Sequence, residues 1–150
     1  MSIWKKSFDL DSLNKSRQQT LVETLGIMIT EIGDDFLTAT MPVEARTHQP
    51  MGILHGGASV VLAETVGSIA ANMAVDEAHY CVGLDINANH LRSVRAGLVY
   101  ATCRPIHIGR STHVWDIQIK NENDKPICIS RLTMAVLQKN NSSVTPISHR

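Results

Sequence analysis

The sequence predicts an α+β fold in which antiparallel strands surround one long helix. Residues 58–75, ASVVLAETVGSIAANMAV, contain no proline, are rich in alanine and present apolar side chains at nearly every angle around a helix axis. Two strand-like segments precede this run and four follow it, with apolar residues at alternate positions and turn formers between the segments. A single buried helix between two sets of strands favours a sheet that packs around that helix.

The other elements follow from local patterns in chain order. A short helix is expected near residues 10–25, and Pro42 is expected to end the second strand. The segment after the long helix has Val82, Leu84 and Ile86 at alternate positions, which is typical of a strand. The predicted strands cover residues 26–32, 36–41, 80–87, 97–106, 114–120 and 126–137.

Composition limits the classes of partner and compartment. The chain has 14 basic and 14 acidic residues, so neither nucleic acid nor an anionic membrane is a predicted partner. The N-terminus lacks the apolar core of a signal peptide, and the three cysteines form no C-x-x-C pair, which favours buried reduced thiols in the cytoplasm. One domain is expected over residues 1–137, and the polar segment 138–150 is expected to be a flexible tail.

Glu64 places a charge in the middle of the long apolar helix. Glu64, Ser68 and Asn72 are spaced by four, so their side chains are expected to form one polar line on one face. Burying a carboxylate costs several kcal/mol unless the group is paired or used, which indicates a function. The alternative is a structural carboxylate satisfied by the backbone or by arginine. The central charge also argues against a membrane span.

A glycine-rich loop, HQPMGILHGG at residues 48–57, precedes the helix. The N–H groups of a first helical turn have no internal partner and attract negative charge, and Gly56 has no side chain to block a carbonyl oxygen. A tight turn is the alternative interpretation. Glu64 lies roughly 13 Å along the helix from His55, too far to act on a carbonyl held at Gly56 of the same helix. Either the substrate lies lengthwise, or a dimer shares its sites.

These motifs resemble the acyl-CoA thioesterases of the hotdog fold, in which a curved sheet wraps a central helix. The resemblance covers about residues 3–137 and is carried by HQPMGILHGGASVVLAETVGS at 48–68, MPV at 41–43 and PIHIGR at 105–110. The most similar branch contains 1,4-dihydroxy-2-naphthoyl-CoA thioesterases and enterobactin-pathway proofreading thioesterases. The resemblance implies hydrolysis of an aromatic acyl-CoA, menaquinone synthesis, no metal or organic cofactor, and a homodimer that pairs into a homotetramer. An acyl carrier protein is the alternative thiol carrier.

The resemblance also assigns roles to single residues. Glu64 matches the catalytic carboxylate, acting as general base or nucleophile, and Gly56 matches the backbone N–H that polarises the thioester carbonyl. Gln49 matches a side chain that helps to hold the carbonyl or the water. His55 matches a neighbour that orients the reacting groups, and Ser68 matches the helix residue one turn beyond the carboxylate.

Coenzyme A carries phosphates, so its binding site needs cations or free N–H groups. Two segments qualify, because Arg92 and Arg110 supply charge and the N–H groups around Gly109 are expected to be exposed. The resemblance assigns both segments and Gly83 to the mouth of the pantetheine tunnel. The candidates are Gly83, His90, Leu91, Arg92, Ser93, His107, Ile108, Gly109, Arg110, Ser111 and Thr112. The alternative is that the arginines are ordinary solvated charges.

Other chemistries fit the sequence less well. The seven histidines include no H-x-H or H-x-x-x-H pair, so no metal site is expected. The cysteines lie in predicted strands among apolar neighbours, where they behave as small hydrophobes rather than nucleophiles. A non-catalytic module that binds acyl-CoA or a carrier protein has no use for a buried carboxylate. The histidine constellation of a hotdog dehydratase is not visible.

Overall fold

A six-stranded antiparallel sheet and one long helix form most of the fold in the computed structural model, which describes residues 1–140. The strand order is β1-β2-β4-β5-β6-β3, and every neighbouring pair is antiparallel. The elements are α1 (Leu10–Lys15), α2 (Leu21–Thr24), β1 (Met28–Ile32), β2 (Leu37–Val43), a 3-10 turn (Ala45–Thr47), α3 (Gly56–Met73), β3 (His79–His90), β4 (Gly97–Ile108), β5 (Thr112–Lys120) and β6 (Pro126–Gln138). Helix α3 packs against β2, β3, β4, β5 and β6, which confirms the predicted α+β architecture.

Helix α3 starts and ends two residues earlier than the sequence predicted. His55 caps its N-terminus, because the ring Nδ1 accepts a hydrogen bond from the N–H of Gly57 at 2.8 Å. The helix is buried on one face rather than all round. The buried face carries Ala58, Ser59, Leu62, Ala63, Val66, Gly67, Ile69, Ala70, Ala71 and Met73.

Lys5 and Lys6, near the N-terminus of the chain, provide hydrogen bonds to the carbonyls at the C-terminal end of α3. The N–H groups of Lys5 and Lys6 donate to the carbonyl of Met73 at 2.9 and 3.1 Å. Lys6 Nζ donates to the carbonyls of Asn72 and His79 at 3.1 and 3.3 Å. These bonds satisfy carbonyls that the last helical turn leaves without a partner, and they tie the helix end to β3.

Two short helices replace the single helix predicted near residues 10–25. Asp9 caps α1 and Thr20 caps α2 through their side chains. Gln19, between the two helices, has a φ of 61°, a left-handed conformation that interrupts a helix. Asn14 on α1 binds both backbone groups of Ile29, accepting from its N–H at 2.8 Å and donating to its carbonyl at 3.0 Å. The helix α1 is thereby held at the outer edge of β1.

The strands confirm the predicted segments with shifts at their ends. The prediction that β2 ends at Pro42 is wrong, because the strand continues to Val43. Strand β1 pairs with β2 only as far as Thr40, so Pro42 has a free edge beside it and its missing N–H costs no bond on that side. In β5, Trp115, Ile117 and Ile119 are fully buried, as alternation requires.

Strand β3 forms an edge of the sheet. It pairs with β6 on one side only. The alternation of Val82, Leu84 and Ile86 is broken by a bulge between Gly83 and Asp85, and Leu84 is 62% exposed. A long edge strand with exposed apolar side chains offers unpaired backbone groups to another chain.

Two expectations concern the limits of the chain and its environment. Within residues 1–140, no helix combines the length and the apolar character that crossing a membrane requires. Strand β6 extends to Gln138, one residue into the segment predicted as a tail. The greater part of that prediction, residues 141–150, lies outside the described residues.

Candidate active site

The N-terminus of α3 offers an unused hydrogen-bond donor. The side chain of His55 accepts a hydrogen bond from the N–H of Gly57. The backbone carbonyl of His55 accepts a hydrogen bond from the N–H of Ala58 at 3.0 Å. The N–H of Gly56 belongs to the first helical turn and makes no hydrogen bond to residues 1–140. This N–H is therefore free to bind a ligand oxygen.

Gly56 lies at a groove of about 400 Å³ that also contains one predicted coenzyme segment. The groove is lined by Ile53, Leu54, Gly56, Ser59, His90, Leu91, Arg92, Ser93 and Ile127. A methyl group on Gly56 would lie 2.9 Å from Nε2 of His90, so the ring of His90 packs directly against the glycine. The fold thus brings the predicted oxyanion donor and the His90–Ser93 segment together.

Gln49 and His55 lie on the loop before α3, from which Ile53 and Leu54 line this groove. A bridge between His48 and Leu54 closes the loop, and the N–H of Gln49 donates to the carbonyl of Ile53 at 2.8 Å. The side-chain oxygen of Gln49 accepts from the N–H of Met51, which leaves the amide NH₂ as a donor. Because Nδ1 of His55 is an acceptor, the neutral ring carries its hydrogen on Nε2. Both side chains therefore retain a donor group beyond their structural bonds, two N–H bonds on Gln49 and one on His55.

Glu64 is exposed in the single chain, so the prediction of a buried carboxylate is wrong. It lies on the side of α3 next to β3, the edge strand of the sheet. Within residues 1–140 it makes no ion pair with an arginine. A methyl group on Gly83 would lie 2.9 Å from its Oε1, so the carboxylate rests against the β3 backbone.

The polar line of α3 follows the same border. Ser68, one turn beyond Glu64, is half-buried, and its hydroxyl lies 3.9 Å from Sδ of Met134. Asn72, a further turn along, binds the backbone of Cys81 on β3. The predicted alignment of the three side chains is present, and all three face β3 and β6.

A second groove beside Glu64 was not predicted from the sequence. It measures about 370 Å³ and is lined by Arg17, Leu21, Val22, Val61, Glu64, Thr65, Ser68 and Ile69. Four of these eight side chains are apolar, and three of the eight come from α2 and the segment before it. Little in the sequence indicated this groove, because Leu21 and Val22 lie in a region with no motif. Only long-range packing brings α2 to α3.

The second coenzyme segment lies at the opposite end of α3. A cavity of about 260 Å³ there is lined by Lys5, Ala74, Val75, Asp76, His79, Ile108, Gly109, Arg110, His113 and Val136. The expectation of an exposed N–H at Gly109 is wrong, because this N–H donates to the carbonyl of Thr112 at 2.9 Å in the β4–β5 turn. One chain therefore does not bring His107–Thr112 together with His90–Ser93.

The remaining titratable groups fit no competing chemistry. Burial raises the pKa of the thiols of Cys81, Cys103 and Cys128, so each stays protonated and weakly nucleophilic near neutral pH. Burial also lowers the pKa of His113, whose Nδ1 accepts from Nε1 of Trp115 at 3.3 Å. Among the described residues, no group of three histidine, cysteine or acidic side chains could hold a metal ion.

Sequence comparisons relate the chain to a family of known chemistry. Residues 51–128 match the thioesterase superfamily. A Vibrio cholerae protein is 55% identical over 99% of both chains. The 1,4-dihydroxy-2-naphthoyl-CoA hydrolase of Escherichia coli is 50% identical over 90% of this chain and 99% of its own length. A proofreading thioesterase of Cronobacter sakazakii is 48% identical over 90% of this chain and 98% of its own length.

Solved structures extend the likeness to the fold. A thioesterase from Haemophilus influenzae superposes with a TM-score of 0.91 at 49% identity and covers 94% of this chain and 99% of its own. A Pseudomonas aeruginosa thioesterase, solved with a glutamine replaced by alanine, gives a TM-score of 0.90 at 53% identity over 92% of this chain and 100% of its own. A Staphylococcus aureus protein with 42% identity was solved with a glutamate and, separately, with a glutamine replaced by alanine, at TM-scores of 0.76 and 0.75 over 79% and 77% of this chain and 99% and 97% of its own.

Proposed function

Because the chain belongs to the thioesterase superfamily of hotdog fold and is a thioester hydrolase, we propose that it cleaves an aromatic acyl-CoA in sites shared between two subunits. One subunit supplies the N–H of Gly56, and the other supplies the carboxylate of Glu64. The observation that carries this proposal is the separation of two unpaired groups on one helix. Gly56 and Glu64 lie roughly 12 Å apart along α3, and each is open to solvent or a groove.

The two groups supply complementary parts of thioester hydrolysis. The N–H of Gly56 donates to the thioester carbonyl oxygen, where negative charge develops as the carbonyl carbon is attacked. Glu64 either removes a proton from the attacking water or attacks the carbonyl carbon itself. The thiolate of coenzyme A is a good leaving group, so no strong acid is needed. Gln49 and His55 add donors that hold the carbonyl or the water, and Ser68 lies beside Glu64 as a further polar partner.

The free edge of β3 is the surface through which the subunits would pair. It is 12 residues long and exposes Val82 and Leu84. Antiparallel pairing of β3 with its copy around a two-fold axis places the His90 end of one strand beside the His79 end of the other. That arrangement moves Gly56 of one subunit toward Glu64 of its partner. Further pairing of dimers into a homotetramer belongs to the same proposal.

The same symmetry unites the two coenzyme segments. His90–Ser93 lies at one end of α3 and Ile108–Arg110 lies at the other. In an antiparallel dimer, the first segment of one subunit faces the second segment of its partner. Arg92 and Arg110 would then lie on both sides of one entrance, where their charges attract the phosphates of coenzyme A.

Two aromatic acyl groups are candidates for the substrate. The relatives named for 1,4-dihydroxy-2-naphthoyl-CoA hydrolysis and for proofreading both exceed 45% identity. The groove lined by Leu21, Val22 and Val61 next to Glu64 suits a flat apolar acyl group. A dihydroxynaphthoyl or hydroxybenzoyl thioester, and with the former a place in menaquinone synthesis, is therefore proposed. The alternative is a proofreading enzyme that acts on acyl groups attached to a carrier protein.

Residue spacing in a relative supports the choice of Gln49 and Glu64. In the Staphylococcus aureus protein, the glutamine and the glutamate that were replaced by alanine are separated by the same number of positions as Gln49 and Glu64. Equal spacing is expected if both pairs occupy the same loop and helix turn.

A panel of thioesters tests the proposal. Thiol release is measured with dihydroxynaphthoyl-, hydroxybenzoyl-, benzoyl- and straight-chain acyl-CoA, on the wild type, Glu64→Gln and the matched control Glu31→Gln. Glu31 is also exposed but lies on β1. We expect turnover of the aromatic substrates by the wild type and the control and none by Glu64→Gln. Equal turnover by Glu64→Gln, or acyl-CoA binding without hydrolysis, would contradict the proposal.

The coenzyme site has its own test. Arg92→Ala and Arg110→Ala are expected to raise KM for an acyl-CoA several-fold and to leave KM for the matching acyl-pantetheine unchanged, since the latter lacks the nucleotide phosphates. Arg131→Ala, an exposed arginine on the outer face of β6, is the control. An equal rise for both substrates would show that the arginines do not contact those phosphates.

A further inference from the structure

The polar line of α3 makes its most extensive contact with the sheet at Asn72. Oδ1 of Asn72 accepts from the N–H of Cys81 at 2.8 Å. Nδ2 donates to the carbonyl of Cys81 at 3.3 Å and to the carbonyl of Ser68 at 2.9 Å. One side chain therefore binds both backbone groups of a β3 residue and the preceding turn of its own helix.

The N–H and the carbonyl of Cys81, which Asn72 binds, point toward the free edge of β3 rather than toward β6. On β6, the residue opposite Cys81 is Val136, and its N–H donates away from β3, to the carbonyl of Ser111 at 2.9 Å. In an antiparallel ladder, such a pair is non-hydrogen-bonded and its backbone groups point outward. Asn72 therefore occupies positions at which a second strand would otherwise pair.

Gly83, two residues further along β3, is the next residue whose backbone faces the same edge. It is also the residue against which the Glu64 carboxylate rests, because a methyl group at its Cα would lie 2.9 Å from Oε1 of Glu64. The position of the β3 edge relative to α3 thus determines what surrounds Glu64. Asn72 is the side chain of α3 that fixes that position by hydrogen bonds.

We propose that Asn72 is a positioning residue, which holds the edge of β3 against α3 so that Gly83 stays beside the Glu64 carboxylate. The inference rests on the proposed role of Glu64. Asn72 touches neither the carboxylate nor the groove at Gly56, so it acts through β3. By taking both edge groups of Cys81, it also sets Gly83 as the first residue from which a second subunit's strand can pair.

The opposite edge of the sheet provides a matched control. Asn14 binds both backbone groups of Ile29 on β1 in the same way, at 2.8 and 3.0 Å. Asn14 lies on α1 and lines none of the grooves that contain Gly56, Glu64 or Arg110. Replacing either asparagine by leucine removes the same pair of hydrogen bonds to the backbone of an edge-strand residue. Only the pair made by Asn72 lies next to Glu64.

The test compares Asn72→Leu, Asn72→Gln and Asn14→Leu in the full chain with an aromatic acyl-CoA. We expect Asn72→Leu to lower kcat roughly 10- to 100-fold with KM nearly unchanged, as misplacement of a reacting group does. Asn72→Gln, which keeps the amide, should recover part of kcat, and Asn14→Leu should retain the wild-type kcat. Amide hydrogen exchange at Cys81 should accelerate in Asn72→Leu only. If Asn72→Leu does not fold, Asn72→Ser, whose hydroxyl is too short to reach both groups, replaces it.

Two results would overturn the proposal. The first is a kcat for Asn72→Leu equal to that of Asn14→Leu, and the second is unchanged exchange at Cys81. Failure of the proposed function is distinguishable, because the wild type would then hydrolyse no thioester, or Glu64→Gln would hydrolyse it normally. In that case the exchange measurement alone still decides whether Asn72 holds the strand edge.

Discussion

The two ends of α3 differ in whether the backbone groups that lack a partner within the helix find one elsewhere in the described chain. At the C-terminal end, the carbonyl of Met73 accepts from two backbone N–H groups, and Lys6 Nζ binds the carbonyl of Asn72. At the N-terminal end, the N–H of Gly56 lies at a groove and makes no hydrogen bond within residues 1–140. A helix end with satisfied groups stabilises the fold, whereas one with a free donor can bind an anion or a polarised oxygen. The comparison assigns the terminal backbone groups of one end to stability and those of the other end to chemistry.

Removal of the Glu64 carboxylate should produce the largest effect on activity with almost none on stability. We expect Glu64→Ala to lower kcat about 10²- to 10⁴-fold, the usual contribution of a general base. The side chain is exposed and makes no ion pair in the described chain, so the free energy of unfolding should change by no more than about 0.5 kcal/mol. Steady-state thiol release and urea unfolding measure the two quantities. A large loss of stability in Glu64→Ala with normal turnover per folded molecule would contradict this prediction, because Glu64 would then serve the fold rather than the reaction.

Crowding the free donor should give the next largest effect. In Gly56→Ala the added methyl group would lie 2.9 Å from Nε2 of His90, so the ring must move and the groove narrows. We expect kcat/KM to fall roughly 10- to 100-fold, less than for complete loss of an oxyanion donor. Gly97→Ala is the control, because its φ of 85° makes alanine strained there but the residue begins β4, away from the groove. Its stability should fall without a change in kcat/KM.

Loss of the Lys6 side-chain contacts at the C-terminal end of α3 should affect stability alone. Lys6→Met keeps the aliphatic stem and removes two hydrogen bonds, to the carbonyls of Asn72 and His79. We expect the free energy of unfolding to fall by about 1–3 kcal/mol, while kcat of the folded enzyme stays at the wild-type value. Lys125→Met, in the exposed β5–β6 loop, is the matched control for loss of a lysine charge. A drop in kcat for Lys6→Met would show that these lysine contacts also position the reacting groups.

The smallest effect concerns the pH dependence of stability. Burial lowers the pKa of His113 below its ordinary value of 6.5 in the folded chain. The unfolded chain therefore binds more protons as the pH falls through 6.5, and stability is lost from there down to the folded pKa. His113→Gln should flatten this dependence as the pH falls below about 7.5. Urea unfolding at several pH values measures the slope, and an identical slope in the variant would refute the assignment.

The sequence was sufficient for the main elements because their signals are local. The long helix, its polar line and the six strands follow from periodicity of 3.6 and 2 residues, and their positions are confirmed within a few residues. The helix was shifted by two residues because His55 acts as its cap, which the preference for serine, threonine and aspartate at caps did not suggest. Pro42 misled the prediction because a free edge tolerates proline.

The features that the sequence did not indicate depend on long-range packing. The burial of Glu64 was inferred from apolar neighbours on its helix, but its face borders the edge of the sheet, which strand order alone determines. The groove formed by Leu21 and Val22 beside Glu64 requires α2 to fold back onto α3. The N–H of Gly109 donates a hydrogen bond to the carbonyl of Thr112 in the turn between β4 and β5. None of these relations is visible within a window of neighbouring residues.

The central claim is that Gly56 and Glu64 of different subunits form one site, and subunit mixing tests it most directly. One variant carries Glu64→Gln, and the other carries Gln49→Ala with Gly56→Ala. The two variants, each of low activity alone, are unfolded together, refolded and assayed for thiol release. Shared sites predict recovery of about a quarter of wild-type activity, because half of the dimers are mixed and each regains one of two sites. No recovery above the sum of the two separate variants would contradict the shared site and place all the reacting groups within one chain.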